Sequence, residues 1–198
     1  HDITRLFIRP LRAQHEALAA ELGAGSYDAL VNESAFLGAL PLVLGEPERL
    51  PVAGVSVTPL SVTSVDCSPF GSGLGPTTIP RSHRPLINAV LHRGPLRSIQ
   101  TALDAALAPY GIGAGRISYF DVVTVFDETF HLAAPGFEYA RRELPDSVRL
   151  VGPLPATSSP VADLPVWWRD LDGRRPVVHV TQGTMDNLDL GKVLAPAL

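Results

Sequence analysis

Tyr27-Asp28-Ala29-Leu30-Val31-Asn32-Glu33-Ser34-Ala35-Phe36-Leu37-Gly38-Ala39-Leu40 is the stretch on which the reading of this chain turns. It opens as a short apolar run ending in polar residues, which predicts a strand over 27–33, and continues as an apolar segment at 36–40 that reads as a buried helix. The unit is strand, polar tip, helix. The same grammar recurs on both sides of it. Ahead of it, Ile3, Phe7, Leu11, Leu18 and Leu22 fall on helical rows over 2–22, with Gly23 as the stop and Pro10 as a kink or restart. After it, residues 52–58 predict a second strand, and Leu96, Ile99, Leu103, Ala106, Leu107 and Tyr110 recur at helical spacing over 95–110, with Gly111 as the stop. Residues 120–134 stay ambiguous: Val122 to Phe126 suit a strand, yet Asp121 and Asp127 bracket them like turn signals, and 129–133 offer another strand. Residues 148–152 predict a short strand. Strands alternating with helices imply parallel βαβ units, hence an α/β fold with a Rossmann-like parallel sheet and flanking helices. Ligands of such sheets sit beyond the carboxyl ends of the strands, which directs attention to Glu33, Pro59 and Gln182.

Composition narrows the class. The chain has 198 residues, of which 45% are hydrophobic and 18% charged, enough to bury a core. A net charge of -4 without a basic patch argues against a nucleic-acid partner. The single cysteine, Cys67, forms no intramolecular disulfide and has no companions at zinc spacing, which fits a cytoplasmic chain. No apolar run reaches the roughly 20 residues of a membrane span. The first residues carry neither an initiator Met nor a signal peptide, and the last are still helically periodic, so both ends read as cut.

Nineteen prolines and seventeen glycines punctuate the chain without a repeat. They concentrate in two places. Residues 59–85 read as a long binding loop, with Phe70 set among glycines and prolines. Residues 153–165 hold four prolines and no helical period, which marks a linker. The organisation expected is therefore a domain over 1–153, a linker over 154–166, and the start of a second domain over 167–198. In that second part Trp167 to Asp170 read as a short helical piece and residues 175–181 as a fresh strand.

That last strand leads into Gln182-Gly183-Thr184-Met185-Asp186-Asn187 and a helix with Leu190, Val193, Leu194 and Ala197 on one face. A glycine turn into a helix lets the backbone approach a phosphate, which the helix's free N–H groups favour. An ordinary strand-to-helix turn capped by Asp186 or Asn187 explains the same residues.

The segments 31–39, 135–141, 148–154 and 176–184, taken in order, resemble bacterial macrolide-type glycosyltransferases of family 1. They read Val-Asn-Glu-Ser-Ala-Phe-Leu-Gly-Ala, Pro-Gly-Phe-Glu-Tyr-Ala-Arg, Val-Arg-Leu-Val-Gly-Pro-Leu and Pro-Val-Val-His-Val-Thr-Gln-Gly-Thr. The resemblance implies a GT-B fold and an inverting, metal-independent transfer of sugar from a UDP- or dTDP-sugar to a hydroxyl of a small apolar acceptor. The nucleotide sugar is then a co-substrate, and no separate cofactor is implied. A histidine after the family's first strand serves as base, and an acidic residue at a later strand end orients it. That acid falls at Glu33, where the family more often has Asp; a solvated strand-end charge is the competing reading. None of the six histidines here follows a strand opening the fold, so the base is absent. On the donor side the resemblance carries over to Gly183 and Thr184, with Asn187 beside them. A non-catalytic acceptor-binding or scaffolding remnant of the fold is the alternative.

Acceptor contacts in that family come from the long loop and its flanking helices. Phe36, Leu37, Phe70, His83, Leu86 and Leu91 are the candidates here, with Phe70 foremost because a loop gives it no obvious packing and the others suit a core equally well.

Overall fold

The computed structural model describes residues 3–45, 47–67, 73–75, 79–155, 164–182 and 189–197. The chain divides into two units, His1–Leu154 and Pro155–Leu198. The first holds a four-stranded, wholly parallel sheet of β1 (Leu30–Glu33), β2 (Val52–Ser56), β3 (Glu128–His131) and β4 (Val148–Leu150), in that spatial order. The expected α/β sheet is present. Three of its strands are shorter than the apolar runs that announced them: β1 starts three residues late, and β2 and β4 each end two residues early.

Pro10, which has no N–H to give, separates a π-helical turn at Thr4–Ile8 from helix α1 (Leu11–Ala24). Between β1 and β2 a 3₁₀ turn at Leu37–Ala39 runs into α2 (Leu40–Gly45). Between β2 and β3 come α3 (Arg84–Arg93) and α4 (Arg97–Leu107), then a 3₁₀ turn at Ala108–Tyr110 that ends on Gly111 at φ +75°, where only glycine is at ease. The ambiguous segment resolves into a 3₁₀ turn at Tyr119–Thr124, capped by Ser118 Oγ accepting from Phe120 N–H, followed by β3.

Two sequence expectations need correction. The stretch read as loop up to Pro85 contains a helix start, since a proline in the first turn removes only an N–H that has no helical partner anyway. Residues 175–181 form no strand: they pair with no other strand among the described residues, and Val177 and Val178 are 62% and 82% exposed. A strand is a property of a pair of segments, and no second strand is present among the described residues of this unit. That unit otherwise shows a 3₁₀ turn at Val166–Asp170 and a short helix, α5 (Leu194–Ala197).

Strand alternation assigns the faces. Val52, Gly54 and Ser56 of β2, with Asn32, Thr129 and His131 beside them, look into the core, which Leu11, Leu37, Leu40, Leu103 and Leu107 fill. Gly54 is required there: a Cβ would stand 2.5 Å from Phe126 and 2.8 Å from Thr129 Oγ1. The opposite face carries Val31, Glu33, Ala53, Val55, Glu128 and Phe130, and Val31 is 72% exposed.

Candidate active site at the carboxyl edge of the sheet

All four strands point their carboxyl ends the same way, and two cavities open there. The first, of about 260 Å³, lies over the ends of β2, β3 and β4 and is lined by Val57, Pro59, His131, Ala134, Phe137 and Glu138 among others. The second, of about 240 Å³, lies over the ends of β1 and β2, between Ser34, Ala35, Thr58 and Leu60 on one side and Phe7, Tyr119 and Phe120 on the other. Pro59 is common to both. The walls are mainly apolar with a few hydroxyls, the composition of a pocket for a small, largely apolar molecule. Burial holds the Tyr119 phenol above its ordinary value, so it stands beside the second cavity as a neutral hydroxyl.

Glu33 ends β1 next to this second cavity. Its carboxylate accepts from Ala35 N–H at 2.8 Å and from Ser34 Oγ at 3.1 Å, and Phe36 N–H donates to its carbonyl at 2.9 Å. The side chain therefore builds its own turn and stays exposed, while Ser34 and Ala35 form the cavity wall. Phe36 packs half-buried against the main core and lines neither cavity, whereas its neighbour Leu37 is buried and reaches the second one.

The other candidates sit apart from both cavities. His83 is exposed ahead of α3, Leu86 is 67% exposed, and Leu91 is half-buried on the same helix. Phe70, Gly183, Thr184 and Asn187 lie outside the described residues. What is described of the long loop is its stem, cinched by charge. Asp66 pairs with Arg81 at 2.5 Å and takes Arg142 N–H at 3.0 Å, while Arg84 donates to the carbonyls of Ile79, Val65 and Asp66.

Sequence reading passed over the most deeply buried charges at this edge. His131, 1% exposed, sets Nε2 2.8 Å from Glu138 Oε1, and Glu138 Oε2 takes Arg141 Nη1 at 3.1 Å. Burial pushes the Glu138 carboxyl up, but the donors from Leu60 N–H, His131 and Arg141 together outweigh it and hold the group below the ordinary carboxylate range. The signal was present: a histidine at a strand end, with acid and base spaced three apart in Phe137-Glu138-Tyr139-Ala140-Arg141.

Comparison with known proteins gives this edge its context. Over 196 residues the chain is 33% identical to 4'-demethylrebeccamycin synthase of Lentzea aerocolonigenes, covering 98% of this chain and 46% of that protein. It is 30% identical to UDP-glycosyltransferase 2 of Phaeomoniella chlamydospora, covering 96% and 44%, and 29% identical to UDP-glucosyltransferase 1 of Beauveria bassiana (strain ARSEF 2860), covering 85% and 40%. Its homologues are UDP-glycosyltransferases. The glycosyltransferase resemblance read from four short segments thus extends over nearly the whole chain, and a parallel sheet with flanking helices is consistent with a GT-B fold. The chain spans about half the length of the curated relatives it matches. No family model matches it, and no solved structure does. Among the described residues no helix is long and apolar enough to cross a membrane.

Proposed function

We propose that this chain forms the acceptor-binding part of a glycosyltransferase that moves a sugar from a UDP- or dTDP-sugar to a hydroxyl of a small, largely apolar natural product, with inversion and without a metal ion. The observation that carries the reading is the similarity to 4'-demethylrebeccamycin synthase over 98% of the chain and to UDP-glycosyltransferase 2 over 96% of it. The two cavities support it. They lie at the carboxyl ends of parallel strands, where α/β sheets take their ligands, and they are walled by apolar side chains with a few hydroxyls. Glu33 stands at the rim of the second cavity as the acid that orients a histidine base supplied elsewhere in the protein. Gly183 and Thr184, with Asn187 beside them, take the donor phosphates.

The test is to incubate the natural protein carrying this chain with UDP- and dTDP-sugars and hydroxylated apolar acceptors, with and without a chelator. The expected product is a glycoside whose anomeric configuration is opposite to that of the donor, formed equally fast with the chelator present. Retention of configuration or loss of activity on chelation overturns those parts of the reading. Acceptor binding with no transfer at all favours a non-catalytic role.

A further inference from the structure

The segment Val57–Ser61 leaves β2 and immediately becomes the partition between the two cavities. Val57 and Pro59 face the first, while Thr58, Pro59, Leu60 and Ser61 face the second. Outside the sheet it pairs with no strand among the described residues. Two side chains take that place at Leu60. Its N–H donates to Glu138 Oε1 at 2.9 Å, and its carbonyl accepts from Arg141 Nη2 at 2.6 Å. The pair is itself locked, Arg141 Nη1 reaching Glu138 Oε2 at 3.1 Å and the Tyr139 carbonyl at 3.1 Å. Both side chains are nearly dry, 6% and 4% exposed, so the grip works at low dielectric and tolerates no missing member.

His131 closes the arrangement from the sheet side. Its Nδ1 lies 3.2 Å from the Ser56 carbonyl and its Nε2 2.8 Å from Glu138 Oε1. Both neighbours offer acceptor oxygens, one to each ring nitrogen. Ser56 ends β2 and Leu60 lies four residues on, so one buried cluster holds the segment at both ends. Ser61 Oγ adds a bond to the Phe120 carbonyl at 2.9 Å across the second cavity.

We propose that Glu138 and Arg141, backed by His131, are positioning residues for the acceptor: they grip both backbone groups of Leu60 and so set the common wall of the two cavities. The inference rests on the acceptor-binding reading above. The residues touch no reacting atom. They act on acceptor affinity through the placement of Val57, Pro59 and Leu60, and displacements of about 1 Å at such walls change rates by large factors.

The experiment compares Glu138→Gln and Arg141→Lys with Asp127→Asn, a control that loosens the opposite, amino end of the sheet, where Asp127 holds Arg49 and Val52 N–H. Acceptor KM, donor KM and kcat are measured in the natural protein. The expected result is an acceptor KM raised about tenfold or more by each of the first two, with donor KM and kcat within about twofold, and no such rise in the control. Amide hydrogen exchange in the unmodified protein is the second arm, with Leu60 N–H expected to be protected about a hundredfold or more over an open chain even without acceptor. An unchanged acceptor KM in both variants, an equal rise in the control, or an unprotected Leu60 amide overturns the inference. If neither variant folds, the Leu60 amide decides alone. If the unmodified protein transfers no sugar, the functional reading fails instead, and Leu60 protection still reports on the grip.

Discussion

Glu33 shows how one side chain serves two demands. Its carboxylate organises the β1 turn through Ala35 N–H and Ser34 Oγ, and the same turn presents residues 34 and 35 to the second cavity. Glu33→Gln separates the two, because an amide oxygen still accepts from Ala35 N–H while the charge is gone. We expect kcat to fall at least about tenfold at an unchanged melting temperature, with Glu33→Asp keeping most of the activity. Steady-state kinetics beside thermal melts check this, and equal turnover in Glu33→Gln reduces Glu33 to a turn residue. Glu138 is the opposite case, a buried acid held by three donors. Its replacement by Ala leaves Arg141 without its anion and His131 without its acceptor and is expected to cost about 3–5 kcal/mol, read by denaturant unfolding.

At the level of elements, the contact between α1 and the 3₁₀ turn after β1 is set by a missing side chain. A Cβ on Gly38 would stand 2.5 Å from Gln14 Cβ and 2.7 Å from the backbone of Gln14 and His15. The close approach lets Gln14 Oε1 accept from Gly38 N–H at 3.0 Å and brings His15 Nδ1 within 2.9 Å of the Gly38 carbonyl. Gly38→Ala must push α1 away, and a loss of about 1–3 kcal/mol is expected from denaturant unfolding. Helix α4 is held differently, by volume. Leu103 is fully buried, and Leu103→Ala is expected to cost about 2–5 kcal/mol, read in the same way.

Across the whole molecule, three acids share one behaviour. Arg49 holds the Asp127 carboxyl below its ordinary value, Ser64 does the same for Glu143, and Glu138 is lowered because its donors outweigh its burial. An acid with a folded value below its unfolded one contributes stability that is complete above the unfolded value and is lost as pH falls through the folded one. Stability is therefore expected to hold near neutrality and to fall as pH drops below about 4, the ordinary carboxylate value. Chemical denaturation at a series of pH values checks this, and Glu138→Gln is expected to flatten the acid limb. Urea midpoints that stay level down to pH 3 would contradict the assignment.

The fold class was legible because burial writes a period into the chain. The apolar runs at β1 and β2 and the helical spacing from Leu96 to Tyr110 name their elements without reference to anything distant. The homologues agree with the four segments that suggested a glycosyltransferase. What the sequence concealed depends on partners far along the chain. Residues 175–181 have the composition of a strand but enter no strand pairing among the described residues, and α3 starts inside the stretch read as loop, its proline standing in the first turn. The grip on Leu60 joins residues 78 and 81 positions apart, and no local pattern records such a contact. Sequence by itself determined the α/β alternation and the period of the helices and strands in the first unit, since that follows from side-chain polarity at a fixed local spacing. Only the tertiary structure decided which buried charges meet and which backbone groups they hold, because those depend on distances that folding creates.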